Sequence, residues 1–147
     1  MLTIITKTFQ QLSTDELYAV LQLRSEVFVV EQNCVYQDID GKDQKALHVL
    51  GFRNDVLVAY TRLFKPGDYF ENASIGRVVV RQNERQYKYG YEVMKVSIDA
   101  IHQHFNETTI KISAQEYLIK FYTNLGFKTI GSSYLEDDIP HVAMVKS

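Results

Sequence analysis

The sequence predicts a single α+β domain over residues 1–147, with a mixed sheet of about six to seven strands and helices on its faces. Seven short runs rich in apolar and β-branched residues indicate strands, and stretches of helical periodicity lie between them. No repeat or Pro/Gly-rich linker interrupts this mixture. A length of 147 residues fits one domain with a substantial core.

The first half of the chain predicts one helix and four strands. Thr14 and Asp15 precede a helical pattern that starts at Glu16, and its apolar positions are Leu17, Val20, Leu21, Val27 and Phe28. Arg24 and Glu31 fall on the same face as Phe28. The predicted strands are residues 4–9, 47–52, 56–64 and 74–80, with a hairpin turn at 53–55.

The second half predicts two helices and three strands. The first helix covers about residues 89–105, with an apolar stripe formed by Met94, Ile98, Ile101 and Phe105. Ser113 and Glu116 have capping-box spacing, so we expect the next helix to begin there and to end near Gly126. The predicted strands are residues 109–112, 127–131 and 141–145.

Composition limits the functional classes. A formal net charge of −2 gives no basic field for nucleic acid, and no apolar run is long enough to span a membrane. Cys34 is the single cysteine and cannot form an internal disulfide, and the N-terminus lacks the features of a signal peptide. We therefore expect a cytoplasmic protein without a nucleic-acid or membrane partner. A homodimer remains an open alternative.

Residues 76–94 form the segment most informative about function. A strand that ends in residues 78–80, all valine, is followed by a polar turn and then by a helix. Backbone N–H groups and the dipole at such a helix start favour an anion such as phosphate. Arg85 and Lys88 add positive charge there, and Gly90 allows close approach of backbone to a ligand. Taken alone, the segment fits a solvated helix end equally well.

The same segment resembles motif A of the GNAT superfamily of N-acetyltransferases, because Arg-x-x-x-x-Gly runs from Arg85 to Gly90 and Val93-Met94 follows. A second motif is similar at residues 115–118, 121–122 and 125–127. Within the superfamily the chain resembles the ElaA-like group, and this resemblance extends over residues 17–144. The matching stretches are residues 23–24, 27–32, 38–43, 48, 76–80 and 136–141.

The resemblance implies a mostly antiparallel, twisted sheet with helices on both faces, splayed at the strand that ends at Val80. It also implies transfer of acetyl from acetyl-CoA, the co-substrate, to a primary amine without a metal. The implied coenzyme-binding residues are Val78, Val79, Val80, Arg85, Gln86, Tyr87, Lys88, Tyr89, Gly90, Tyr91, Gln115 and Tyr122. Lys88 stands where the family usually has glycine. Its backbone N–H can still donate, and its ammonium can pair with a phosphate.

The resemblance also implies catalytic roles. Tyr122 is expected to act as the general acid toward the departing sulfur, and a backbone N–H on the strand ending at Val80 to stabilise the developing oxyanion. Candidate general bases are Glu31, His48 and His141. An acceptor pocket is expected around Phe28 and three arginines that can hold a carboxylate, namely Arg24, Arg62 and Arg77. The alternative is that these arginines pair with aspartates or glutamates at positions 38, 40, 136 and 137.

Two other interpretations stay open. Residues 38–43 are rich in aspartate, but an EF-hand loop starting there would carry Val49 at its closing position. A turn stabilised by Asp side chains therefore fits better than a metal site. The chain can also be a catalytically silent CoA-binding or protein-interaction module on the same fold, and Lys88 at the glycine position keeps that alternative.

Overall fold

The computed structural model describes residues 2–147, which form one seven-stranded sheet with three α-helices. The strands are β1 (Thr3–Thr8), β2 (Leu47–Arg53), β3 (Val56–Phe64), β4 (Ala73–Val80), β5 (Ile110–Gln115), β6 (Lys128–Glu136) and β7 (Ile139–Lys146). The helices are α1 (Thr14–Arg24), α2 (Tyr89–Phe105) and α3 (Ile119–Thr123). The strand order is β1-β2-β3-β4-β5-β7-β6. All neighbours are antiparallel except β4 and β5, which are parallel.

Helices cover both faces of the sheet because alternate strand residues point to opposite sides. On one face, α2 buries Val93, Met94 and Ile101 in the larger core. On the other face, α1 buries Val20 and Leu23 in a second core. Within residues 2–147, no helix is both long and apolar enough to cross a membrane.

Most predicted elements are confirmed to within a few residues, and α2 has the predicted bounds. The β2–β3 turn has left-handed backbone at Asn54 (φ 50°) and Asp55 (φ 66°), as a tight hairpin requires. The start of α1 lies two residues before the predicted one. Ser13 caps that helix, since its Oγ accepts from the Glu16 N–H while the Glu16 carboxylate accepts from the Ser13 N–H.

The predicted capping box at Ser113 and Glu116 is wrong. Strand β5 continues through Gln115, and α3 begins only at Ile119 after a 3₁₀ turn. The Ser113 hydroxyl is bound instead to the hydroxyl of Tyr134 and the carboxylate of Glu136 on β6, the strand beyond β7. Sequence spacing cannot distinguish a cap from a hydroxyl that faces another strand.

The segment after α1 continues as a π-helix from Ser25 to Glu31. Its wider turns are visible in the bond from the Gln32 N–H to the Val27 carbonyl (3.1 Å). The shift rotates Phe28 and Glu31 toward the end of the sheet, whereas Arg24 is fully buried. Arg24 and Glu31 therefore do not share an environment, contrary to the expectation from regular helical spacing.

The sheet opens between β4 and β5. These strands are paired only at Ala73–Ile110 and Ser74–Lys111, so their C-terminal halves diverge. This confirms the predicted splay at the strand that ends at Val80. A bulge on the opposite side of β4 leaves Arg77 and Val78 without a register partner on β3, and Arg77 adopts a left-handed φ of 49°.

Candidate active site

The opening between β4 and β5 contains two adjoining cavities. One, of about 320 Å³, extends to the start of α2 and is called the α2 cavity. The other, of about 100 Å³, extends to β7 and is called the β7 cavity. The residues that line both are Phe28, Gln32, Val78, Gln115, Leu118 and Tyr122. Two ligands entering from opposite sides would therefore meet at these side chains.

Nine of the twelve predicted coenzyme residues line the α2 cavity, and the other three do not. The nine are Val78, Val79, Val80, Arg85, Lys88, Gly90, Tyr91, Gln115 and Tyr122. Tyr89 is buried in the larger core, and Gln86 is exposed. The Tyr87 ring lies beside Tyr89 and under the guanidinium of Arg53, which is 4.8 Å from the ring centre.

The start of α2 has the backbone shape of an anion-binding turn. A 3₁₀ segment, Gln82–Tyr87, leads into Lys88, whose φ of 60° and ψ of 28° are left-handed. Glycine adopts this conformation without cost. Lys88 therefore has the backbone geometry of a glycine at the position where the GNAT pattern usually has one. A Cβ on Gly90 would lie 3.2 Å from the Phe121 ring, which explains why no side chain stands there.

Arg85 is held at the mouth of the α2 cavity by two contacts. Its Nε donates to the Val80 carbonyl (3.0 Å), which fixes the side chain against the end of β4. Its two terminal nitrogens donate to the carboxylate of Glu31 at 2.6 and 2.9 Å. Arg85, the residue predicted to bind phosphate, and Glu31, one of the predicted bases, are thus bound to each other.

Tyr122 provides a neutral phenol where the cavities meet. Its side chain is 6% exposed, and its hydroxyl has no hydrogen-bond partner among residues 2–147. Burial raises its pKa above the ordinary value, so the hydroxyl keeps its proton at neutral pH. The rings of Phe121 and Phe127 pack edge-on against it and fix its orientation. A buried donor without a partner is costly unless a ligand accepts from it.

The three predicted bases lie in different environments. His141 lines the β7 cavity; its Nδ1 lies 2.7 Å from the Ile139 carbonyl, and its Nε2 is 3.5 Å from the Glu136 carboxylate. Because Nδ1 faces an acceptor, the proton belongs on Nδ1 and Nε2 is the atom able to take another. His48 lines neither cavity, since it is fully buried between the Tyr60 hydroxyl (2.6 Å) and the Asp43 carbonyl (2.9 Å). Burial also lowers the pKa of His48.

The three predicted acceptor-binding arginines form a closed network with three aspartates. Arg24 contacts Asp38 (2.9 Å) and Asp43 (2.8 Å), and it is fully buried. The other contacts are Arg62 to Asp40 (2.8 Å) and Asp43 (2.9 Å), and Arg77 to Asp38 (2.7 Å) and Asp40 (3.4 Å). The alternative interpretation therefore holds for Asp38 and Asp40, and Arg24 and Arg62 line neither cavity.

The aspartate-rich stretch behaves as a turn. The Asp40 carboxylate accepts from the Lys42 N–H at 3.1 Å, closing the loop locally. Burial acts to raise the pKa of Asp40, but hydrogen bonding and charge from Arg62 outweigh it and lower that pKa to about 2. In the part of the chain that the structure describes, no group of three or more His, Cys, Asp or Glu side chains is arranged to hold a metal.

The family follows from the match of sequence and fold. A family model for the acetyltransferase (GNAT) domain matches residues 8–147. The chain belongs to the GNAT family. Protein ElaA of Escherichia coli is 44% identical over 138 residues, which cover 92% of this chain and 90% of ElaA.

Solved structures agree with this GNAT assignment. The crystal structure of E. coli ElaA has a TM-score of 0.93 at 41% identity and covers both chains completely. The crystal structure of an acyl-CoA N-acyltransferase from Pseudomonas aeruginosa has the same score and coverage at 40% identity. An aminoglycoside 6′-N-acetyltransferase solved with coenzyme A shares the fold, with a TM-score of 0.73 at 16% identity over 97% of this chain and 96% of its own. The predicted fold and the ElaA-like resemblance are therefore confirmed.

Several cavity residues of this GNAT protein were not among the predicted site residues. Gln32 donates to Gln115 (3.2 Å) across the opening, and Phe121 lies under Gly90. Glu136 and Asp137 line the β7 cavity, although the sequence suggested only a pairing with arginine. The similarity of residues 136–141 to the ElaA-like group could have indicated that this segment lines the site. It did not indicate which of its side chains point into the cavity.

Proposed function

We propose that the protein transfers an acetyl group from acetyl-CoA directly to a primary amine. The observation that carries this proposal is the meeting of two cavities at the unpartnered phenol of Tyr122. One cavity ends at a basic helix start, and the other is lined by a histidine with a free ring nitrogen. Direct transfer needs this arrangement, because the thioester and the amine must approach one point from two sides.

The α2 cavity fits the coenzyme. The start of α2, with Arg85 and Lys88, suits the pyrophosphate, and the close packing of Gly90 keeps the backbone accessible. Val78 and Val80 offer an apolar wall and Gln115 an amide for the pantetheine arm. When bound, acetyl-CoA supplies a thioester carbonyl that an uncharged amine can attack. The relative solved with coenzyme A supports the same choice through its fold.

Three groups of this chain then do the chemistry. His141 Nε2 removes the proton from the ammonium, directly or through water, because an ammonium has no lone pair for attack. The bulge at Arg77 and Val78 leaves backbone N–H groups without a strand partner, and these can stabilise charge on the carbonyl oxygen. The Tyr122 phenol gives its proton to the departing sulfur, and the proton that the nitrogen loses as the amide forms restores the phenol.

The base assignment has its own test. His141→Gln should lower kcat strongly, whereas His48→Gln, at a ring that lines neither cavity, should lower it much less. Full turnover in His141→Gln would remove His141 as the base.

The test of the function is acetyl-CoA-dependent thiol release with a panel of primary amines, with each product identified by mass spectrometry. We expect release only with amine present and a mass gain of one acetyl group. Coenzyme binding without turnover for every amine would favour the silent CoA-binding module, for which Lys88 at the glycine position is the supporting feature. Absence of coenzyme binding would refute both.

A further inference from the structure

The charge of the β7 cavity differs from what three nearby arginines suggest. Its ionisable lining residues are Arg77, Glu136, Asp137 and His141. Arg77 belongs to the network in which three arginines meet three aspartates, so its charge is already balanced. Glu136 and Asp137 have no Lys or Arg partner within 4.0 Å in residues 2–147. The unbalanced charge in this cavity is therefore negative.

Glu136 is placed to bind a cation. Its side chain is 44% exposed, and its carboxylate accepts from the Ser113 hydroxyl at 3.1 Å and lies 3.5 Å from His141. These contacts orient the carboxylate and leave it lone pairs for a further donor. Tyr122 lines the same cavity and is 6% exposed, so it marks the end of the cavity at which a bound amine would meet the thioester.

The shape of the cavity limits the ligand. At about 100 Å³ it is much smaller than the α2 cavity of about 320 Å³. A short unbranched chain fits such a space. The ends of the cavity differ, because Tyr122 lies where the two cavities meet and Glu136 lies away from the α2 cavity.

We propose that the acceptor is a short linear amine carrying a second cationic group, with the reacting nitrogen near Tyr122 and the second ammonium bound by Glu136. This inference rests on the proposed acetyl transfer. It differs from the sequence expectation of an acceptor carboxylate, because the arginines for that carboxylate are neutralised by Asp38, Asp40 and Asp43. A carboxylate in this cavity would face Glu136, and Arg77, the arginine in the lining, is already paired with Asp38 and Asp40.

The experiment compares three amines of equal length that differ only at the far end: 1,3-diaminopropane, propylamine and β-alanine. In the wild type we expect kcat/KM to be roughly tenfold or more higher for the diamine than for propylamine, since hydrogen bonds to charged groups have about this effect. β-Alanine should be the poorest of the three. Equal values for diamine and propylamine, or a preference for β-alanine, would overturn the inference while leaving acetyl transfer intact.

Two variants test whether Glu136 causes the preference for the diamine. Glu136→Gln should reduce the diamine-to-propylamine ratio of kcat/KM to near one. The ratio is the readout because any effect of the change on His141, 3.5 Å away, acts on both amines alike. Asp138→Asn is the matched control, because Asp138 carries the same charge and lines neither cavity. It should keep the wild-type ratio. An unchanged ratio in Glu136→Gln would refute the site.

Binding measurements distinguish failure of the cation site from failure of the proposed acetyl transfer. Calorimetry with CoA-saturated protein should show tighter binding of diamine than of propylamine, and Glu136→Gln should remove the difference. Selective binding without turnover would refute acetyl transfer and support the cation site. No selectivity in binding or in turnover would overturn the cation site.

Discussion

Glu31 offers a test of how the coenzyme is admitted. Its carboxylate makes two short contacts, of 2.6 and 2.9 Å, with the guanidinium of Arg85 at the mouth of the α2 cavity. A pyrophosphate that binds Arg85 must share the guanidinium with this carboxylate and lie close to its negative charge. The change Glu31→Gln keeps the shape of the side chain but removes its charge and one of its two acceptor oxygens. We therefore expect the variant to bind coenzyme A more tightly than the wild type.

The size of the effect follows from the exposure of the pair. The side chains of Arg85 and Glu31 are 43% and 26% exposed, so solvent screens their attraction. Pairs of this kind contribute at most about 1 kcal/mol, although the two-pronged geometry is favourable. Since 1.4 kcal/mol corresponds to a tenfold change, the Kd for coenzyme A should fall about two- to fivefold. The difference should shrink at about 1 M salt, where the screening length is about 3 Å.

The assay is titration calorimetry with coenzyme A at low and high salt, with kcat measured alongside. Glu26→Gln is the matched control, because Glu26 lies on the same π-helix, pairs with Arg81 at 3.4 Å and lines neither cavity. It should change the Kd much less than Glu31→Gln. Weaker coenzyme binding in Glu31→Gln, or the same change in both variants, would refute the competition. A large fall in kcat in Glu31→Gln alone would instead make Glu31 the base.

Three further outcomes follow from the same structure. Tyr122→Phe should lower kcat roughly 10²-fold or more, as loss of a general acid does, while the Kd for coenzyme A stays nearly constant; full turnover would remove Tyr122 from the mechanism. Arg24→Met should destabilise the fold by about 3–5 kcal/mol in urea denaturation, because two buried carboxylates lose a partner. Arg53→Met, at a partly exposed pair, should cost much less. The Asp40 pKa of about 2 lies below its ordinary value, so its contribution is present above about pH 4 and lost as the pH falls toward 2. Asp40→Asn should reduce the loss of unfolding free energy between about pH 4 and pH 2 by up to about 2 kcal/mol. An unchanged loss in the variant would refute the assignment.

The local pattern of the sequence determined most of the elements. Period-2 and period-3.6 spacing of apolar residues depends on neighbours a few positions away, so the hairpin at Asn54 and Asp55 and the whole of α2 could be predicted. The motif around Arg85 and Gly90 indicated the family, which is confirmed, and it predicts the coenzyme side of the site. Where local signals were ambiguous, as at Ser113, the prediction failed because a partner 21 residues away decided the role of the side chain.

The acceptor side was decided only by the tertiary structure. Residue types alone placed Arg24, Arg62 and Arg77 around a substrate carboxylate, but the fold brings three aspartates within ion-pair distance and neutralises them. It also removes His48 into the core and brings His141 and Glu136 to the cavity wall. The reason is physical. The net charge of a cavity is a sum over residues distant in sequence, and only the packing of the sheet determines which of those charges face each other.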